Sequence, residues 1–289
     1  MTLFVNHLTH IDASLWSPEH GLTGVSWHVD AELDGELGPD GMLFDFGEVK
    51  PWIKSRLDAG LDHTLLVPTE AAGIQVVDCA EGLCLRTQFP YRMEVRGPRQ
   101  SFTLLPWPEI TADRLAVHLS SELSRRPPAK VDTIRLRLRD EEIETAAYTY
   151  SHGLKHHTGN CQRIAHGHRS RLHIWRDGRR DAALEAQWAQ ALDASYLIHD
   201  EDLDTPFDEQ PLDELSVAYQ AAQGRFSLKL PKQRCHLLST PTTIEHIAAW
   251  LADTIARDTG SRIRVQAFEG IDKGAMADAM PPATTHDDA

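Results

Sequence analysis

The sequence predicts an α+β chain in which one domain type is used twice, each copy an antiparallel sheet with its helices on one face. Three observations predict this. Two similar amphipathic helices recur, each followed by a short alternating strand. The two halves also open with similar strand and His-Gly segments. The length of 289 residues then divides into two repeats of roughly 140.

The elements follow in order. Phe4–Leu8 (FVNHL) opens the first repeat, and His20-Gly21 precedes the alternating stretch VSWHVDAEL. Alternate side chains there face opposite sides, as a half-buried strand requires. Asp40-Gly41 marks a turn, Met42–Phe46 reads as a short strand, and Val49–Leu57 as a helix with apolar residues at 49, 52, 53 and 57. Cys79 and Cys84 fall on a hairpin. In ITADRLAVHLSSEL, Thr111 is placed to N-cap and Asp113 lies in the first turn, where the helix dipole favours an acid. The strand TIRLRL then leads to Glu142 and Glu144.

The second repeat begins near Ala146. Tyr150–Leu154 (YSHGL) matches FVNHL, and His166-Gly167 matches His20-Gly21 ahead of SRLHIWRDG. In TTIEHIAAWLADTI, Thr243 matches Thr111, Glu245 matches Asp113, Ala248 matches Ala116, and Ile247 and Leu251 match Leu115 and Leu119. SRIRVQAF closes the repeat and leads to Glu269. The expected division is residues 1–145, residues 146–273, and a flexible, small and polar tail from 274 to 289.

Composition narrows the function classes. The net charge of −14 argues against a nucleic-acid coat or a polybasic membrane anchor. No apolar stretch approaches the 18 or so residues of a membrane helix. MTLFVNHLTHIDAS is not a secretory signal, and the four cysteines form no CxxC pair, so a cytoplasmic protein with reduced thiols is expected. Much of the negative charge falls between Asp200 and Glu214, which the sequence places away from the candidate site.

That site is the segment YTYSHGLKHHTGNCQRIAHGHRSRLHIW. His166 and His168 stand two apart on a strand and share a face. A return through Thr158–Gly159 brings His152 opposite them. Three neutral imidazoles and an open position describe a catalytic zinc site. His156 and His157 read as a solvated loop. Cys161 lies between the ligands; spacing leaves it as a fourth ligand or as a thiolate base beside the metal. In the first repeat, Asp62-His63 has the makings of a proton relay, the carboxylate fixing the imidazole tautomer.

Together these pieces resemble the 6-pyruvoyl-tetrahydropterin synthase and 6-carboxytetrahydropterin synthase family, twice over and across nearly the whole chain. The second repeat has what resembles the zinc triad (His152, His166, His168) and the catalytic Cys161, TTIEH in place of PTxEN, and a closing Glu269. The first has GMLFDFGEVK, LDH, and Glu144 in the closing position. By the same alignment His7 stands at the first ligand position and HGL stands where HGH would, with no Cys before it, so the resemblance implies that the first repeat has a degenerate metal site and that there are half as many active sites as T-fold domains.

The resemblance implies tandem tunnelling-fold (T-fold) repeats, Zn2+ as cofactor, and an oligomeric barrel. Three tandem chains would supply the six domains usual for the family. It implies 7,8-dihydroneopterin triphosphate as substrate and a homo-oligomer, with neither nucleic acid nor membrane as partner. In the family the Cys and the Asp-His pair come from neighbouring subunits, so a composite site is expected, with one piece from each repeat. Cys161 is the expected base, with Asp62 and His63 poising it. Glu269 is the first choice to anchor the pterin, then Glu245, with Glu144 further back. Arg163, Arg169 and Arg171 are the cations nearest the metal strand. Two other functions fit the same motifs: a family lyase with a different pterin-like substrate, and a non-catalytic, zinc-stabilised oligomeric pseudoenzyme.

Overall fold

The computed structural model describes residues 1–282; residues 283–289 of the expected tail lie outside the described residues. The first repeat runs β1 (Thr2–Ser17), β2 (Gly21–Gly35), α1 (Phe46–Gly60), β3 (Leu65–Pro68), β4 (Ile74–Cys79), β5 (Gly82–Thr87), β6 (Met93–Gly97), β7 (Phe102–Leu105), α2 (Ala112–Ser124) and β8 (Val131–Asp140). The second runs β9 (Ala147–His152), β10 (His166–Arg176), β11 (Arg179–Arg180), α3 (Ala182–Leu192), β12 (Ser195–His199), β13 (Glu214–Ala221), β14 (Gly224–Pro231), β15 (Cys235–Leu238), α4 (Ile244–Thr259), β16 (Ile263–Phe268) and β17 (Gly274–Ala279).

Strand periodicity puts one face of each sheet under helices. In β2, Val25, Trp27, Val29, Ala31 and Leu33 point to one core with Ile134, Leu136 and Leu138 of β8. The intervening Arg135 and Arg139 reach back across the sheet surface to Glu32, Asp34 and Asp30. α1 lays Val49, Ile53 and Leu57 on this core, and α2 lays Leu115, Ala116 and Leu123 on it. α4 does the same in the second repeat with Ile247, Leu251 and Ile255, at helical spacing. Thr111 caps α2 through its hydroxyl. Thr243 sits at the N-cap of α4 without a side-chain hydrogen bond.

The two main sheets have matching strand orders, β7-β3-β1-β2-β8 and β15-β12-β9-β10-β16-β17. They are mixed, not antiparallel throughout: β3 runs parallel to β1 and β7, and β12 runs parallel to β9 and β15. The reason is placement: after α1 or α3 the next strand runs antiparallel to β2 or β10 but pairs on the far side of β1 or β9, and so lies parallel to it. Met42–Asp45 is not a strand; Asp45 instead caps α1, its Oδ1 accepting from Gly47 N at 2.7 Å. Cys79 and Cys84 do lie on one hairpin. Gly274–Ala279 of the expected tail is a strand paired along β16, so the flexible segment does not start at 274.

A third sheet, β13-β14-β6-β5-β4, takes strands from both repeats. Its core is shared as well, joining Leu85, Val95 and Trp16 to Tyr196, Tyr219 and Phe226. The two hairpins β1/β2 and β9/β10 pack against each other through small residues. The Ser14 and Ser151 hydroxyls meet at 2.8 Å. A Cβ on Gly24 would come within 2.4 Å of His168 and Tyr150 backbone atoms, so only glycine allows this approach.

Candidate metal centre and active site

The antiparallel register of β9 and β10 pairs His152 directly with His166 and Tyr150 with His168. All three imidazoles are buried, and one nitrogen from each lies within 4.8 Å of the others. Two of the outer nitrogens are hydrogen-bonded by the protein. His152 Nδ1 faces Thr242 O at 3.0 Å, and His166 Nδ1 faces Arg163 O at 3.1 Å. A carbonyl oxygen only accepts, so both rings carry hydrogen on Nδ1 and leave the Nε2 lone pair free. Burial lowers the pKa of both rings, which keeps them neutral. The Nε2 atoms of His152, His166 and His168 have no hydrogen-bond partner. Each such buried polar atom costs about 1–3 kcal/mol unless something satisfies it. Three converging, unpartnered imidazole nitrogens fit a metal ion.

The third ligand is oriented from the other repeat. Asp12 Oδ1 lies 3.4 Å from His168 Nδ1, and Asp12 is 1 % exposed. The same carboxylate accepts from Ser26 Oγ at 2.5 Å and stands 3.3 Å from Lys273 Nζ. Burial would raise its pKa, but His168, Lys273 and Ser26 outweigh that and hold it well below the usual carboxylate range.

Asp62 and His63 sit immediately alongside. Asp62 Oδ2 is 2.6 Å from His63 Nδ1, and Asp62 Oδ1 accepts from Asp12 N at 3.0 Å. The His63 ring centroid is 5.3 Å from that of His166 and 6.2 Å from that of His168. Burial opposes its charge, but hydrogen bonds to Asp62 and Cys161 push its pKa up to about 10. Cys161, on the short turn Asn160–Gln162, therefore meets the Asp-His pair within one chain, across the two repeats. Gln223, in the turn between β13 and β14, fastens that loop by accepting from Arg163 Nε at 3.1 Å and donating to Asn160 Oδ1 at 2.9 Å.

The other expected residues divide. Glu269 follows β16, half-buried, and its charge acts on both Tyr150 and Lys273 beside the centre. Glu245 is exposed in the first turn of α4, and Glu144 is exposed in the link between β8 and β9. Arg169 and Arg171 are engaged with Glu141, and Arg171 also with Asp272, so neither is a free phosphate cation. The acidic stretch does reach the site: buried Asp202, held by Lys155 Nζ at 2.8 Å, lines a cleft of about 280 Å³ with His199, His246, Thr242 and Thr243. His156 and His157 are exposed on their loop, as expected, and stand on the rim of the same cleft.

Asp12, Asp202 and Tyr150 escaped sequence reasoning. Tyr150 is fully buried, its ring centroid 5.3 Å from those of His152 and His168. It stands two residues before His152, a spacing that could have flagged it. Nothing in the sequence connects Asp12 to a histidine in the other repeat.

Fold and site together define an α+β protein of two repeats, in which a buried three-histidine cluster that could hold a metal lies beside Asp62 and His63 of the other repeat. The 6-pyruvoyl tetrahydropterin synthase family profile matches residues 6–151 and again residues 142–279, and the chain belongs to that family. By membership it is a pterin-synthase-family lyase. The chain is 24 % identical over 128 residues to a putative 6-carboxy-5,6,7,8-tetrahydropterin synthase of Pyrococcus horikoshii, covering 44 % of this chain and 74 % of that protein. The Pyrococcus abyssi protein of the same description is 26 % identical over the same shares. A Plasmodium vivax 6-pyruvoyltetrahydropterin synthase structure aligns with a TM-score of 0.41 and 15 % identity, covering 50 % of this chain and 93 % of that one. No helix among the described residues is long and apolar enough to cross a membrane.

Proposed function

We propose that the chain is a zinc-dependent lyase that takes 7,8-dihydroneopterin triphosphate and expels triphosphate, giving a 6-pyruvoyl-tetrahydropterin-type product or, with loss of acetaldehyde as well, a 6-carboxy-tetrahydropterin-type product. The observation that carries this reading is the three buried, unpartnered Nε2 atoms of His152, His166 and His168 beside Cys161 and Asp62-His63. Zinc held by the triad would supply Lewis-acid polarisation of the substrate's side-chain oxygens.

The chain's own residues do the rest. Cys161 is the proposed base, taking a proton from the carbon next to the pterin ring, with the Asp62–His63 pair poised beside it. Asp62 keeps His63 charged and in register. Glu269 pairs with the amino and ring N–H donors of the pterin in bidentate fashion, with Glu245 and Glu144 as the second and third candidates. Arg163, which donates to Gln223 and to the Asp62 and His63 carbonyls, is the cation of this group without a carboxylate partner and the first candidate for an anionic tail; Lys155 and Lys273 are paired with Asp202 and Asp12. One site per chain follows, and the proposed assembly is a homo-oligomeric barrel of tandem chains.

A second reading, a family lyase acting on a different pterin-like substrate, is favoured by the cleft that buries Asp202 with His199 and His246. The test is direct. Metal-loaded protein is incubated with dihydroneopterin triphosphate while triphosphate release and the pterin spectrum are followed. Release that is lost in Cys161→Ala, with metal retained, supports the reading. No release from zinc-loaded protein overturns this substrate.

A further inference from the structure

The two repeats are related by approximate two-fold symmetry, and equivalent residues can be fixed by register alone. Leu65 pairs with Ser14, and Tyr196 pairs with Ser151. Three residues before each, Asp62 and Asp193 accept from Asp12 N at 3.0 Å and Thr149 N at 2.9 Å. Ser14 is therefore equivalent to Ser151, and their hydroxyls meet on the symmetry axis at 2.8 Å. One residue on, Leu15 is equivalent to His152. Leu15 pairs with Thr23 and His152 pairs with His166, which makes Thr-Gly-Val at 23–25 the counterpart of His-Gly-His at 166–168. Gly24 and Gly167 agree with this, since each leaves no room for a Cβ against the other repeat, Gly24 at the His168 backbone and Gly167 at Ser14 Oγ. His63 and Ala194 also correspond, and both hold a left-handed backbone, φ 57° and 52°. The alignment of His7 and His20-Gly21-Leu22 with the ligand set is thereby corrected. His7 lies in a bulge at the far end of β1, stacked on His28. The strand-end acid equivalent to Glu269 is likewise Asp140 and not Glu144, because Leu138–Val29 and Ala267–Leu172 are equivalent pairs.

We infer, resting on the metal reading above, that the chain contains a second, symmetry-related centre disabled in its side chains, with Leu15, Thr23, Val25 and Ala194 standing where His152, His166, His168 and His63 stand. A cleft of about 700 Å³ marks it, lined by Thr23, Thr149, Asp193 and Ala194. Leu15 and Val25 offer no lone pair and are built into the core under α1 and α2. The Thr23 hydroxyl is taken up by Thr149 at 2.8 Å. The loop that carries Cys161, residues 153–165, is reduced here to residues 18–20. The corresponding backbone positions remain, with the His20 carbonyl accepting from Arg234 Nη2 at 2.8 Å. Thr242 and Ile110 each precede an N-cap threonine, and Arg163 and His20 each stand three residues before the second ligand position. Metal capacity is thus set by three side chains on a backbone that still has the required form.

The experiment counts cobalt(II) or zinc per chain by equilibrium dialysis, with the cobalt ligand-field spectrum as a second readout. Wild type binds one ion, and His168→Ala binds none. The variant Leu15→His/Thr23→His/Val25→His is expected to bind two, and to bind one when combined with His168→Ala. A folded triple variant that still binds one ion overturns the inference, as does a wild type that binds two. A wild type that binds none overturns the metal reading instead. If the triple variant does not fold, Thr23→His/Val25→His keeps Leu15 in the core. It should show a second, weaker cobalt site, and a folded double variant without one overturns the inference equally.

Discussion

Asp12→Asn is the most informative single substitution, because one buried carboxylate from the first repeat orients a metal ligand of the second. Oδ1 takes the Ser26 hydroxyl at 2.5 Å and faces His168 Nδ1 at 3.4 Å, while Oδ2 faces Lys273 Nζ at 3.3 Å. Every one of these neighbours can donate. An asparagine has one accepting oxygen and one donating NH2, so one side of the group must become donor against donor. If the amide turns its nitrogen to His168, the imidazole loses its fixed tautomer. If it turns the nitrogen to Lys273, the ammonium loses its acceptor and faces a donor. Loss of such an outer partner typically weakens metal binding about 10–100-fold, or roughly 1.4–2.7 kcal/mol. The assay is chelator competition on the purified protein, with Cys161→Ala as a control expected to keep wild-type affinity. An Asp12→Asn protein that binds metal within twofold of wild type would refute the reasoning and leave Asp12 as a packing residue.

Three further outcomes are expected. Gly24→Ala should cost about 3 kcal/mol or more in denaturant unfolding, since its Cβ would lie 2.3 Å from His168 O, with backbone on both sides unable to yield; a loss below 1 kcal/mol or so would mean the hairpins can slide apart. Mixing Cys161→Ala chains with Asp62→Ala chains should not restore activity, because the Cys and the Asp-His pair meet within one chain; restored turnover would place the working site between chains. Burial pushes the Cys235 thiol up to about 12. Its thiolate at pH 8 is then on the order of a thousandfold scarcer than that of an ordinary thiol, and its alkylation should accelerate only as pH rises toward 12; labelling at an ordinary rate, read by mass spectrometry, would contradict this.

Much of the site was legible because its parts are local. His166 and His168 share a strand face by the two-residue period, and His152 is one hairpin away. Asp62 and His63 are adjacent in sequence and touch each other through side chains. Repetition was legible in the helices, where N-cap threonine, first-turn acid and apolar spacing recur in order. The first-repeat ligand positions were not legible, because the likeness of His20-Gly21 to His166-Gly167 is chemical while equivalence is fixed by pairing. A hairpin three residues long and one thirteen residues long align differently by letters than by hydrogen bonds.

The sequence by itself determined the repeated α+β elements, the helix caps, the triad and the relay pair, since each depends on neighbours within a turn or a hairpin. Only the tertiary structure decided which repeat orients which ligand, that Cys161 meets His63 in the same chain, that Asp202 enters the cleft, and that the sheets are mixed. Those outcomes depend on two hairpins approaching through Ser14, Gly24, Gly167 and Ser151, contacts between segments more than a hundred residues apart. Periodicity encodes which face of a strand is buried; it does not encode what lies against that face.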